Sequence, residues 1–161
     1  MSTWIAKTGA AVAAGLAATL LAGVALAQGD GPPAHRSAAE LRTAVVQTKD
    51  GLATSALPTG TATVLMVRRD RSGEVELHMA QNDVFVAHDG HARVLIGDKV
   101  EGNHEVSPGE WRGGALSGGR SYDMAPGDVL WIPAGLPHQV VVPAHGTFNY
   151  LAMKFPTAKT P

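Results

Sequence analysis

A chain of 161 residues, 45% hydrophobic and 17% charged, carries the apolar material of one packed domain. Its formal charge of -1 and the lack of any Lys/Arg run exclude a nucleic-acid surface and a polybasic membrane patch. With no cysteine, neither disulfides nor thiolate chemistry is available, so stability has to come from packing or from a metal ion.

Residues 1–27 differ in kind from the rest. Lys7 precedes an Ala/Gly/Leu-rich run over 9–26 that ends in Ala25-Leu26-Ala27 before the polar Gln28. A cation, an apolar run and small residues at the cleavage positions are the parts of a secretory signal peptide. An uncleaved anchor is the alternative, since a run of this length just spans a bilayer. The Ala/Gly composition and the A-x-A position favour cleavage, giving a mature chain of residues 28–161, periplasmic or secreted and free of the membrane.

Residues 28–60 read as a linker and a short helix. Two Gly and two Pro within 28–36 make a flexible start. Ser37 with Glu40 three residues on forms a capping box, and Leu41, Ala44 and Val45 share a face, which predicts a helix over 38–47. The stretch 49–60 is interrupted by Gly51, Pro58 and Gly60 and reads as a connection.

Over 61–156 the pattern changes to short β-branched runs between turn signals. Strands are expected near 62–68, 75–80, 83–88, 91–96, 121–125, 129–132, 138–142 and 147–155. Eight strands in that length make an all-β sandwich or closed barrel, with 157–161 as a C-terminal tail. The Gly-rich stretch 100–120, holding Pro108, Trp111 and Arg112, reads as a partly structured lid or as hiding a further strand. Phosphate-loop and nucleophile-elbow patterns are missing, so no nucleophile is advertised.

The chemistry gathers on two strands and one turn. Alternation puts Glu76 and His78 on one face of 75–80 and Val75, Leu77 and Met79 on the other, where the apolar set is expected to enter the core. On the next strand Asp83 shares its face with Phe85 and Ala87, and a carboxylate among apolar neighbours needs a partner such as a metal. In 127–138, GDVLWIPAGLPH, Pro133 and Gly135 break a strand and force a turn that delivers His138 to the start of the next one. Glu76, His78 and Asp83 are therefore expected to converge near a barrel axis. His35, His88, His91, His104 and His145 read as solvated, and Phe85, Ala87, Val140 and Tyr150 as barrel filling. Trp131, out of phase with Leu130 and Ile132, faces a second surface, and Trp111 and Arg112 are the candidates for reaching over the barrel mouth.

These residues resemble the two motifs of the cupins. The second motif is matched at Gly127, Pro133, Gly135 and His138, with Val142 where an Asn is usual. The first is matched in spacing at Glu76, His78, Asp83 and Gly90, with Glu76 in place of a His, Asp83 in place of a Glu and Asp70 at the opening glycine. The resemblance spans 62–155 and implies a small single-domain cupin, a jelly-roll β-barrel with a short N-terminal helix behind the signal peptide.

It also implies a divalent ion held by Glu76, His78, Asp83 and His138. Two imidazoles with one or two carboxylates suit Fe(II), Mn(II) or Zn(II), in that order, and the lack of thiolate disfavours a closed structural zinc site. The expected function is binding of a small oxygen-bearing organic ligand beside the ion, with dioxygenase or isomerase chemistry and Glu76 as a fourth ligand or general base. The alternative is a non-catalytic module that captures a small molecule or a metal in the same pocket. Association as a homodimer is expected from the resemblance, and no nucleic-acid partner is expected.

Overall fold

A computed structural model describes residues 33–59 and 62–157. The expected signal peptide and residues 28–32 of the linker lie outside the described residues.

Helix α1 (Ala38–Ala44) leads into β1 (Leu52–Thr59), β2 (Ala62–Arg69), β3 (Glu76–His78), β4 (Gln81–Gly90) and β5 (Ala92–Ile96). Four short strands follow: β6 (Lys99–Glu101), β7 (His104–Ser107), β8 (Glu110–Arg112) and β9 (Ala115–Ser117). The chain closes with β10 (Arg120–Met124), β11 (Val129–Ile132), β12 (His138–Val141) and β13 (Phe148–Pro156). One sheet runs β1-β2-β13-β4-β11 and a second runs β10-β5-β12-β3-β8-β7, with β6 and β9 paired apart from both. All the pairings are antiparallel. The inward faces of the two large sheets supply one apolar cluster, including Val67, Phe85, Val94, Ile132, Val140, Phe148 and Tyr150.

The capping box predicted at Ser37 is formed. Ser37 N donates to Glu40 Oε2 at 2.7 Å, and Glu40 N donates back to Ser37 Oγ at 3.2 Å. The helix stops at Ala44, three residues short of the expected 47, because Val45 leaves helical geometry (φ -117) to be buried. Leu41 is half-buried and Ala44 exposed, so one side chain, Val45, does most of the anchoring.

One expectation for the connections is overturned, and a choice left open is decided. The stretch 49–60 contains β1, which Pro58 had argued against. As the outermost strand of its sheet, β1 pairs only with β2, and a missing ladder donor is tolerated at an edge. Over 100–120, read as a lid or as hiding a further strand, the strands are present as β6 to β9. Each of these strands has three or four residues, too few for alternation to register, and they are joined by glycine turns such as Gly109 (φ 76) between β7 and β8.

Candidate metal centre

The site is assembled where β3 and β12 lie side by side, with His138 opposite Glu76 in register. The turn before His138 is fastened to β3: Gly135, at φ 81, donates its N–H to the carbonyl of His78 at 2.8 Å. Nearby, Ala134 N donates to Asn82 Oδ1 at 3.0 Å. The Pro133–Gly135 break therefore does more than turn the chain, because it locks the His138 strand to the His78 strand through the backbone.

His78 and Asp83 are 2% and 1% exposed, in keeping with their expected convergence inside the barrel, but the other face of 75–80 departs from the reading. The apolar set was expected in the core, yet Met79 is 54% exposed and Leu77 lines a shallow surface pocket with Trp111, while Val75 alone is buried. The polar face points into the barrel because its partners are there.

Both imidazoles are held from behind by Nδ1. His78 Nδ1 lies 2.5 Å from Glu110 Oε2, and His138 Nδ1 lies 3.1 Å from the carbonyl of Leu136. Two outer acceptors select the Nδ1–H tautomer of each ring and turn both Nε2 lone pairs inward, the arrangement that prepares a histidine as a metal ligand. His78 Nε2 lies 3.5 Å from Glu76 Oε2 and 3.4 Å from Asp83 Oδ2, and His138 Nε2 lies 3.4 Å from that same oxygen. The first of these, between Glu76 and His78, is the separation expected between two atoms sharing one ion at roughly 2.1 Å.

The donor set also fits an ion electrostatically. His138 Nε2 is buried and has no hydrogen-bond partner, and Asp83 Oδ2, 3.4 Å away, is another acceptor. A lone pair facing a carboxylate inside a barrel is repulsive unless a cation joins them. Glu76, His78 and His138 each place one ligand atom within 4.8 Å of the others, so this buried Glu–His–His group could hold a metal.

Asp83 is close to both rings but is engaged by Lys154. The lysine Nζ donates to Asp83 Oδ1 and Oδ2 at 2.9 and 3.0 Å and lies 2.8 Å from His78 Nε2. Glu76 is paired with Arg69 at 2.8 Å and lies 4.0 Å from Arg112. Arg69 in turn donates Nε–H to the buried Tyr150 hydroxyl at 3.1 Å.

Burial disfavours the charged form of each acid, and the cations outweigh it. Glu76 is brought down to about 2, and with Nε2 of His78 a lone pair the cations that hold it there are Arg69 and Arg112. Asp83 is held well below the usual carboxylate range by Lys154, which donates to both its oxygens. The 2.8 Å contact between Lys154 Nζ and His78 Nε2 admits only one hydrogen between the two atoms. With Glu110 accepting Nδ1–H, a neutral ring accepting from the lysine satisfies all three groups. Burial pushes the Tyr150 phenol up to about 12, so it stays neutral beside Arg69.

The structure thus brings together Glu76, His78, Asp83 and His138. It also supplies Lys154, Arg69 and Glu110, which sequence reasoning missed. Lys154 is in phase with the buried Tyr150 and Ala152, and Arg69 with the buried Val67, so alternation is the signal that would have found both as inward cations. Glu110 had no such signal, because its place opposite His78 depends on the β3–β8 pairing. Of the two lid candidates, Arg112 turns towards the site and Trp111 to the outer pocket. Tyr150, expected as filling, also positions Arg69. His35, His88, His91, His104 and His145 are exposed, as expected.

No family model matches this sequence, and no curated protein matches it. Among solved structures the chain is similar to TT1209 from Thermus thermophilus, at 17% identity over 72% of this chain and 93% of that one, with a TM-score of 0.53. It is equally similar to an uncharacterized conserved protein with a double-stranded β-helix domain from Klebsiella pneumoniae subsp. pneumoniae MGH 78578, at 14% identity over 72% and 86%, with a TM-score of 0.53. A Cupin 2 conserved barrel domain protein from Salinispora arenicola CNS-205 is a looser likeness, at 19% identity over 71% and 82%, with a TM-score of 0.48. The chain has the double-stranded β-helix fold, a jelly roll with one short helix ahead of it. At these identities the likeness is one of fold, and function has to be argued from the site.

Proposed function

We propose that this is an exported cupin-fold protein that binds one divalent ion on Glu76, His78 and His138 and takes a small oxygen-bearing organic ligand beside it. The observation that carries the reading is the buried His138 Nε2, preset as a lone pair and without a partner. Two imidazoles and one carboxylate suit Fe(II), Mn(II) or Zn(II) and leave coordination positions open for a ligand's oxygens. Such an ion, when bound, supplies Lewis-acid or redox chemistry. A carboxylate titrating at about 2 is a weak base at neutral pH, so Glu76 serves this reading as an ion ligand.

The mouth of the barrel beside Glu76 favours an anionic ligand. A cavity of ≈ 460 Å³ there is lined by Arg69, Arg71, Arg112 and Lys49, against Asp50, Glu74 and Glu76. Arginine forks bind carboxylate oxygens in pairs, and Arg112 is close enough to the centre to hold a ligand while its other end reaches the ion. Titration calorimetry of chelator-treated protein with Mn(II), Fe(II) and Zn(II) is expected to show one site per chain. If none of the three binds, the reading is wrong.

Export and pairing belong to the same proposal. Lys7, the apolar run and Ala25-Leu26-Ala27 support a cleaved leader. A homodimer is supported by the outer face of the five-stranded sheet, where Val129, Val86 and Leu151 form one row and Trp131, Val84, Met153 and Val64 the next. Val129 and Trp131 are 65% and 52% exposed on the free edge strand, and these rows carry no charge, so the face is complementary to its own copy. Mass spectrometry and light scattering on protein recovered from an exporting host are expected to give a chain starting at Gln28 and twice its mass. A full-length monomer would contradict both.

A further inference from the structure

Lys154 occupies an unusual place for a lysine. It stands opposite Asp83 in the β13–β4 ladder and reaches inward until Nζ touches His78 Nε2 as well as both Asp83 oxygens. Asp83 is 1% exposed, so its charge needs a permanent counter-charge, and Lys154 at 2.9 Å is the cation that supplies it. The His78 contact is different in kind. That ring has one lone pair at Nε2, and an ion bound there excludes a hydrogen bond from the ammonium. The ring behind it cannot turn away, because Glu110 holds Nδ1.

From this geometry, and resting on the ion-binding reading of the site, we propose that Lys154 is its specificity-determining residue. It caps His78 Nε2 when no ion is bound and keeps Asp83 out of the ligand set, so that the barrel binds divalent ions weakly and exchangeably on three residues. Asp83 already spends both oxygens on the ammonium and is absent from the group whose ligand atoms converge, which is Glu76, His78 and His138. On ion binding Lys154 gives up His78 and stays with Asp83. Its positive charge remains within a few ångströms of the dication and opposes it.

The probe is Co(II), followed by calorimetry and by its visible absorption, on wild type and on Lys154→Met and Lys154→Gln. Gln keeps a donor for Asp83 should the apolar variant not fold. Removing a like charge at about 4 Å is expected to tighten Co(II) binding by at least about tenfold. The absorption should also change as Asp83 joins the ligands. Variants that bind Co(II) when wild type does not would support the proposal equally. Binding unchanged or weaker in the folded variants overturns it while leaving the ion site standing. No binding by any of the three proteins removes the ion site and the proposal together.

Discussion

His138→Ala is expected to abolish divalent-ion binding while leaving a folded barrel. The side chain is 2% exposed, its Nδ1 is fixed on the Leu136 carbonyl, and its Nε2 is the one buried side-chain nitrogen or oxygen among the described residues that has no hydrogen-bond partner. Removing a residue that merely orients a ligating histidine costs about 10–100-fold in metal affinity. Removing the ligand should exceed that, putting Co(II) or Mn(II) affinity outside the range of calorimetry. The ring also packs edge-on to Phe85 at 6.0 Å, so some stability is lost with it. Circular dichroism separates the two effects, and His88→Ala, on an exposed residue, is the control that should bind normally. A folded His138→Ala protein with wild-type affinity would mean that the ion does not use this ring.

The largest loss of stability is expected from Phe148→Ala. Phe148 is 0% exposed and stacks on Tyr150 at 4.8 Å with 20° between the rings, and Tyr150 packs on Phe85 at 4.9 Å. Deleting a buried phenyl ring costs about 3–5 kcal/mol, because the lost transfer energy is joined by the cavity left behind. For a domain of this size that lowers the melting temperature on the order of 10–15 °C. The site feels it too. Tyr150 anchors Arg69, and Arg69 holds Glu76, so a loosened Tyr150 lets one ion ligand move. Tyr150→Phe separates the contributions, since it keeps the ring stack and loses only the bond to Arg69. Thermal unfolding monitored by circular dichroism ranks the three proteins, and a Phe148→Ala melting point within about 3 °C of wild type would refute the packing argument.

The most legible parts of the sequence were those whose structure is set within a few residues. The turn built on Pro133 and Gly135 lies where their backbone preferences put it, and His138 follows at the start of β12. The capping box at Ser37 formed as read, and β11 spans the predicted 129–132. Alternation put Glu76, His78 and Asp83 on faces that do meet. It failed where strands were too short to show a period, as in β6 to β9, and where an edge position excused a proline, as in β1.

Parity and turn chemistry by themselves determined that Glu76, His78 and Asp83 converge and that His138 follows a turn at the start of a strand, because both are local properties of the backbone, while the resemblance to the cupin motifs joined the four on a jelly roll. Tertiary structure alone decided which cation meets which acceptor. Lys154 reaches Asp83 and His78 only because β13 pairs with β4, Arg69 reaches Tyr150 only because β2 pairs with β13, and Glu110 backs His78 only because β8 pairs with β3. Those pairings join residues 32 to 81 positions apart, and over such separations it is burial and sheet order that fix the contact. The acceptors were therefore written in the order of the residues, and the lysine that stands among them was placed by the fold.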